Sequence, residues 1–582
     1  MSKETTTISL WYKYLLIFFL FIFCGQTLFA QTTISGRIVD NATNEGVPRV
    51  SVMVKGTNRG TLTDDRGNYQ INAAQGEILV FTSQGFTSRE VTVTGTTVNI
   101  SFVPDNREMS EVVVIGYGQK NRRMLTESIG TVTAKEIQKL PVASADAAIQ
   151  GRVSGVQITS VDGTPGAQVA VRVRGVGTVG NTQPLFVIDG IPVGNGSGGD
   201  PVNGGRNTNP LASLNPSDIE NISVLKDASS AAIYGMRAAN GVVLITTKRG
   251  KSGRPRITLD AFQGMQQFPK NLKVNNTQQY VELAQEAITN RNIQDNLSPG
   301  QTGFRVLHPD LLAGSPTSVL GINTDWEAAS INKNAPIANY NVGVSGGTDF
   351  ANYFFSMGYF NQEAITRGWD LERYTFRANS DYKIGNRFKI GQTLAVSFQE
   401  TNRGMNGGGD GFYYANNIGM PPFFKIYDDQ NTIPGNRYGF NGNLNVAGIT
   451  AGNQFGLNEI VDDQVHDYRL LGGLYGELEL LRGLRFRSAA SIDLGFGRNT
   501  RWQPAFNAAE IGYARDANNF SDNRGQGYTQ VFTNTLSYER SLQDHSFNLL
   551  GGIEYQKIRG NNLSYGGVNF SSTDPGFYTV VS

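Results

Sequence analysis

Cysteine is almost absent from this sequence: the 582 residues hold one, Cys24, near the N-terminus. That excludes a disulfide framework and a thiolate metal site from the rest of the chain. Histidine is nearly as scarce. His308, His466 and His545 are far apart, with none of the short spacings that ligate a metal. Excess charge of either sign is missing too, since 50 Lys and Arg face 49 Asp and Glu. A nucleic-acid binder would carry a basic surplus, so nucleic acid is not an expected partner. Long apolar runs are also lacking. Tyr14 to Phe23 supplies ten such residues, against the ~20 a membrane-spanning helix needs. No later run is long enough, so any membrane insertion must use a β-barrel, which satisfies its backbone internally.

The apolar run suits a different task. Lys3 and Lys13 precede it and Leu28-Phe29-Ala30 offers a cleavage site, as in a secretory signal peptide over residues 1–30. The rival reading, a lipoprotein signal acylated at Cys24, needs a small residue where Phe23 stands. What is abundant is glycine, 69 residues, well above the typical ~7%. Together with 10% aromatics, it suits many strands joined by turns.

Residues 31–104 alternate in short pieces, Ile34 to Val39, Val50 to Val54 and Val91 to Thr94, separated by turn clusters. That spacing predicts a β-sandwich. The acidic pair Asp64-Asp65 lacks the ligand spacing of a calcium loop and reads as a turn. Residues 105–122 form a linker around Glu111-Val-Val-Val-Ile-Gly-Tyr-Gly118. This run is either one more sandwich strand or a segment left to pair with a partner's sheet edge. Residues 123–250 alternate helix-like and strand-like pieces, as in a compact α+β module. Within it, Gly175-Val-Gly-Thr-Val-Gly180 has dinucleotide-binding spacing, but Pro184 soon leads into a strand where a helix is required.

From about residue 255 the strands lengthen and alternate strictly. Tyr374, Phe376 and Ala378 alternate with Thr375, Arg377 and Asn379; Leu484 and Phe486 alternate with Arg485 and Arg487. One apolar and one polar face fits a lipid-facing exterior and a wet lumen. Tight turns at 346–349, 385–386, 481–483 and 542–544 alternate with connections at 269–336, 401–465 and 497–526, 362–370 being the short exception. Short turns at one end and long loops at the other is the outer-membrane barrel layout. Residues 251–582 therefore read as roughly nine strands, where a plugged barrel has about 22. The expectation is a sequence that stops partway round the barrel.

Several motifs then resemble a known family. EVVVIGYGQ at 111–119, VRVRG at 171–175, PLFVIDGIP at 184–192 and the long run LNPSDIENISVLKDASSAAIYGMRAANGVVLITTKRG at 214–250 are similar to the SusC/RagA family of TonB-linked outer-membrane transporters. The run from Ile34 resembles the carboxypeptidase regulatory-like domain. The resemblance implies a mainly β protein: an N-terminal sandwich, an α+β plug at 123–250 and the first part of a transmembrane antiparallel barrel. Glu111, Val112, Val113, Val114, Ile115, Gly116, Tyr117 and Gly118 fall where the family has its TonB box. Met236 departs from the family's small residue, which should affect packing.

The resemblance further implies active import of oligomeric nutrients, glycans first and peptides second, with no cofactor and no catalysis. Its partners would be the TonB energy-transducing complex, a SusD-like surface lipoprotein, the oligosaccharide or peptide substrate and outer-membrane lipid. Phe412, Tyr413, Tyr414 and Trp502, read as loop aromatics, are the candidate substrate contacts. The stretch Pro421 to Asp429 resembles a recurring barrel segment, so its aromatics read as structural. The long loops at 269–336 and 401–465 suit a rim. A helix expected at Thr277 to Arg291, with Tyr280, Leu283, Ala284 and Ala287 apolar, either stays solvated, folds back on the barrel or meets a partner. A siderophore or vitamin receptor, or a barrel-anchored binding protein, are the alternative functions.

Overall fold

The computed structural model describes residues 32–41, 45–83, 86, 88–102, 112–115, 118–121, 129–137, 144–160, 164–166, 169–178, 182–193, 211–269, 273–404, 415–427, 439–441, 445–446, 449–450, 452–506, 517–542 and 545–570. The leader expected at 1–30 lies outside them. Two compact units divide the chain, Met1–Glu111 and Val112–Ser582.

The first unit is a β-sandwich. Strands β1 (Thr32–Asp40), β4 (Asn68–Ala73) and β7 (Ile100–Phe102) form one sheet in the order β4-β1-β7. Strands β2 (Ser51–Val54), β3 (Gly60–Leu62), β5 (Ile78–Thr82) and β6 (Arg89–Thr92) form the other, in the order β3-β2-β5-β6. Alternate residues point inward, so Ile34, Ile38, Val52, Leu79, Phe81 and Phe102 fill the space between the sheets. The Asp64 carboxylate accepts the amides of Arg66 and Asn68 and the Asn68 side chain, at 2.8–3.1 Å. Those bonds, the Asn68 amide foremost, hold it below the usual carboxylate range. It closes a turn, as its spacing predicts.

The second unit begins with a hairpin, β8 (Val112–Ile115) paired antiparallel to β9 (Gly118–Asn121). An α+β module follows. Its central sheet runs β10-β15-β16-β13-β14, from strands Ile129–Thr133, Ile219–Leu225, Val242–Thr247, Leu185–Ile188 and Ile191–Val193. A separate pair, β11 (Val156–Ser160) and β12 (Val169–Val173), completes it. Strands β15, β16 and β13 are buried almost residue by residue, which explains their continuous apolar sequence. Met236 takes no part in the packing expected of it: it is 95% exposed, next to the left-handed Gly235.

Nine long antiparallel strands then build a wall. They are β17 (Gly253–Gln266), β18 (Ala335–Gly347), β19 (Ala351–Glu363), β20 (Asp370–Ile384), β21 (Phe388–Asn402), β24 (Asp462–Leu481), β25 (Leu484–Gln503), β26 (Asn519–Leu542) and β27 (His545–Val568), each pairing with the next. The two-residue strands β22 (Asn445–Val446) and β23 (Ile449–Thr450) lie in the connection between β21 and β24. The wall is inside-out relative to a soluble sheet. Ile257, Leu259, Met357, Leu474, Phe532 and Leu536 are exposed on one face, while Arg373, Arg377, Asn379 and Asp381 are buried on the other. Apolar outside and polar inside is what lipid demands.

A level row of aromatics crosses the exposed face. Tyr340 pairs with Tyr359, Tyr359 with Tyr374, Tyr374 with Phe398, Phe398 with Tyr468 and Tyr468 with Phe496. Neighbouring ring centroids along the first five lie 4.8–6.3 Å apart. Such a girdle marks the membrane interface of a barrel, here on the side of the long connections.

Those connections are folded rather than loose. Trp326, Phe423, Phe424, Phe455, Leu457 and Phe506 share one apolar core. The helix Thr277–Gln294 starts at a capping box of Asn276 and Gln279. It folds back on that core through Tyr280, Val281, Ala284 and Ile288, whereas Leu283 and Ala287 face outward. Tyr280 meets Phe423 edge-on at 5.2 Å.

Candidate functional site

The buried face of the wall meets the α+β module along a polar seam, and β20 contributes most of it. Its inward residues recur every second position, so Arg373, Arg377, Asn379 and Asp381 line up along one strand. The module presents complementary groups from two turns and the end of one strand. Asp189 opens the two-residue Asp-Gly turn between β13 and β14, with φ +49 there and +87 at Gly190; this is the sequence that such a hairpin turn requires. Asp218 ends the 3-10 turn Pro216–Asp218, whose cap Asn215 accepts the Ser217 amide at 2.9 Å. Thr247 ends β16.

These pieces converge on Arg377. Its guanidinium is 3.4 Å from Asp189 Oδ2, 3.5 Å from Asp218 Oδ2 and 3.2 Å from Thr247 Oγ1. Asp189 also accepts the Thr247 amide at 3.0 Å and hydroxyl at 2.6 Å. Asn379 donates to Thr247 Oγ1 at 3.0 Å and to the Lys248 carbonyl at 2.8 Å. Asp218 is fully enclosed and its Oδ1 has no hydrogen-bond partner among the described residues. Burial pushes its carboxyl above the ordinary range, against the pull of Arg377.

Further contacts extend the seam in both directions. Arg373 donates to the Ala212 carbonyl and lies over the Phe360 ring, 4.9 Å from its centroid. Asn215 donates to Asn341 of β18 at 2.9 Å. Arg249 reaches Asp381 at 3.0 Å, and Tyr475 donates to the same carboxylate. Arg469 holds Asp493 through two bonds of 2.8 and 2.7 Å and reaches Ser213 at 3.4 Å. Arg237 meets Glu554 of β27 at 2.8 Å. Apolar contact is sparse by comparison, Leu471 being the wall's buried residue in the module's core. A polar interface of this sort permits relative motion more readily than an apolar core does.

None of these seam residues is among the candidates drawn from the sequence, which lie elsewhere. Val112 to Ile115 form β8, with Gly118 opening β9; Glu111, Gly116 and Tyr117 lie outside the described residues. Phe412, Tyr413 and Tyr414 also lie outside them. Trp502 is not a loop residue. It sits in β25, which continues to Gln503, so the connection there spans 504–518 instead of 497–526. Its indole is 5% exposed, with Phe570 at 6.2 Å. Strand pairing is a backbone property and needs no apolar face once the wall leaves the membrane, so the polar run 497–503 conceals the strand.

Residues 34–114 match the family described as CarboxypepD_reg-like domain, and residues 121–242 match the TonB-dependent Receptor Plug Domain. The TonB-dependent receptor P26 of Formosa agariphila is 32% identical over 543 residues, covering 92% of this chain and 50% of that protein. The TonB-dependent receptor SusC of Bacteroides thetaiotaomicron is 34% identical over 370 residues, 63% of this chain and 34% of that one. The RagAB peptide importer in its open-open state shares the fold, with a TM-score of 0.62 at 24% identity over 79% of this chain and 50% of that one. The chain spans about half the length of P26 and of the RagAB chain. With a sandwich, a plug and a lipid-facing wall in this order, the chain is similar to TonB-dependent receptors of the SusC/RagA type.

Proposed function

We propose that this chain serves active import of oligomeric nutrients across the outer membrane, powered by a TonB energy-transducing complex that grips Glu111 to Gly118. The observation that carries the reading is the seam. A plug held to its wall by hydrogen bonds and ion pairs can be displaced and reseated, and the β8–β9 hairpin lies just before it in the chain. Among the described residues β8 pairs with β9 alone, and a partner strand added at its other edge would supply several backbone hydrogen bonds at little cost in sequence specificity. The sandwich would then stand in the periplasm. The loop core around Trp326 and Phe423 gives a SusD-like lipoprotein lid a fixed surface to close on. Glycans lead as cargo, with peptides beside them because RagAB is a peptide importer. No covalent step enters this scheme.

Proline at Val113 and Ile115 removes two backbone donors from the handle. The full-length protein carrying both should bind substrate at the cell surface and insert normally, yet accumulate none inside. Accumulation at the parental rate would overturn the assignment. Growth of a deletion strain on single glycans or peptides separates the two cargo classes.

A further inference from the structure

The exposed face of the wall carries a feature that import does not use. Two residue pairs beyond the aromatic row, toward the long connections, a second row crosses the strands: Glu372 pairs with Glu400, Glu400 with His466, His466 with Arg498 and Arg498 with Arg524. The row is acidic on β20 and β21 and basic on β25 and β26. At the basic end Asp522 is 1% exposed and gathers both arginines. Its Oδ2 accepts Arg498 Nη2 at 2.8 Å and Nε at 3.0 Å, Arg524 Nη2 at 2.8 Å and the Tyr565 hydroxyl at 2.6 Å. One carboxylate against two guanidiniums leaves a net positive charge. Both arginine side chains remain about half exposed, 47% and 50%.

Register places this cluster on the outside of the wall. Asp493 of β25 and Val531 of β26 are buried on the inner face, and pairing runs without a bulge from there to Arg498 and Asp522. By alternation both point away from the plug. Two residues beyond the girdle corresponds to roughly 7 Å of strand. That is the depth of the headgroup layer, which occupies the difference between a ~30 Å apolar core and a ~40–45 Å bilayer. Arg559 of β27, exposed and paired with Tyr528, adds another outward cation four residues inside the row, past the level of the girdle.

We propose that Arg498 and Arg524, held by Asp522 and Tyr565, bind the phosphate of a lipid headgroup in the outer leaflet. The chemistry fits at each point. Nη1 of each arginine makes no hydrogen bond among the described residues, which leaves donors turned to solvent; a phosphate takes such donors in the bidentate manner arginine favours. The buried carboxylate fixes both guanidiniums beforehand, so little side-chain entropy remains to be lost on binding. The acidic end of the same row repels phosphate and confines the site to β25–β27. The proposal rests on the wall lying in the outer membrane with its aromatic girdle at the interface.

The test uses full-length protein stripped of lipid in mild detergent, titrated with bisphosphorylated lipid A and followed by native mass spectrometry. Dephosphorylated lipid A and inorganic phosphate are the comparison probes. The wild type should hold the phosphorylated lipid about tenfold more tightly than the dephosphorylated form. The double variant Arg498→Gln/Arg524→Gln should lose that preference, and Arg498→Gln alone should lose part of it. Heat-modifiable migration in gels reports whether each variant is folded. A folded double variant that keeps the preference overturns the site. Millimolar inorganic phosphate that displaces the lipid completely overturns the lipid as the ligand and assigns a soluble anion. A wild-type protein that fails to enter liposomes overturns the membrane placement itself, a failure distinct from the other two.

Discussion

Arg377 of the wall stands 3.4 Å from Asp189 of the plug, and both side chains are almost entirely shielded from water. Removing one partner of such a pair leaves an uncompensated charge in a low-dielectric seam, at a cost of about 3–5 kcal/mol. Arg377→Ala should therefore loosen the plug while the wall stays folded. Limited proteolysis should cut the plug sooner, with unchanged heat-modifiable migration. Adding Asp218→Asn should recover part of the loss, since one of the two stranded carboxylates is then neutral.

The seam should respond to pH through Asp218. Its carboxyl titrates above the ordinary value because burial outweighs Arg377. A carboxyl raised in the folded state contributes stability that is fully present below its unfolded value and is lost as pH rises through the folded one. Hydrogen exchange of the plug should thus be slowest under mild acid and quicken with rising pH across that window. In Asp218→Asn this part of the pH dependence should vanish. An unchanged profile would remove Asp218 as its source.

Gly358 of β19 faces the bond between Asn215 and Asn341. A Cβ built there would lie 2.3 Å from Asn215 Nδ2 and 2.6 Å from Thr375 Oγ1. Gly358→Ala should break the Asn215 to Asn341 bond or displace the capped turn, costing about 1–3 kcal/mol. Gly264→Ala on β17, where the new atom would meet only Ile337 at 3.6 Å, is the control. Exchange at Ser217 and Asp218 should accelerate in the first variant and not in the second.

In the loop core, Trp326 is 3% exposed and donates its indole N–H to the Pro421 carbonyl at 3.2 Å. Trp326→Ala should cost about 3–5 kcal/mol of local stability. Protease sensitivity should rise in the long connections, including the helix Thr277–Gln294, with the nine strands unaffected. Equal sensitivity throughout would mean that the loops and the wall unfold as one unit.

How much of this was legible in the sequence differs from part to part. Alternation such as Tyr374, Phe376 and Ala378 against Thr375, Arg377 and Asn379 exposed the wall, because lipid on one side and protein on the other leave a period of two. It labelled Arg377 as inward and polar, and there it stopped. The partners Asp189 and Asp218 lie more than 150 positions away, and no local pattern joins them to β20. Trp502 was misplaced for a related reason: beyond the girdle the strand keeps its pairing and drops the apolar face that announced it. Phe423 and Phe424 followed the structural reading, both buried at 1%. The helix at Thr277 folds back, one of the three readings left open; of its four apolar positions Tyr280 and Ala284 reach the core, joined by Val281 and Ile288, while Leu283 and Ala287 face outward.

The order of the plug sheet, β10-β15-β16-β13-β14, puts its first strand at a border. β10 is joined to the sheet through one ladder, from Ile129 opposite Leu225 to Thr133 opposite Asn221. It is also the first sheet strand after the hairpin. Under the proposed pull, tension arriving through residues 122–128 would meet a strand held to the sheet by one ladder among the described residues, with β15, β16, β13 and β14 bonded to one another behind it. What would leave with that strand is the Val132 side chain, 1% exposed and packed in the plug's interior. Detachment of β10 would thus open a hole in the core without dissolving the sheet, a partial unfolding whose scale is one strand.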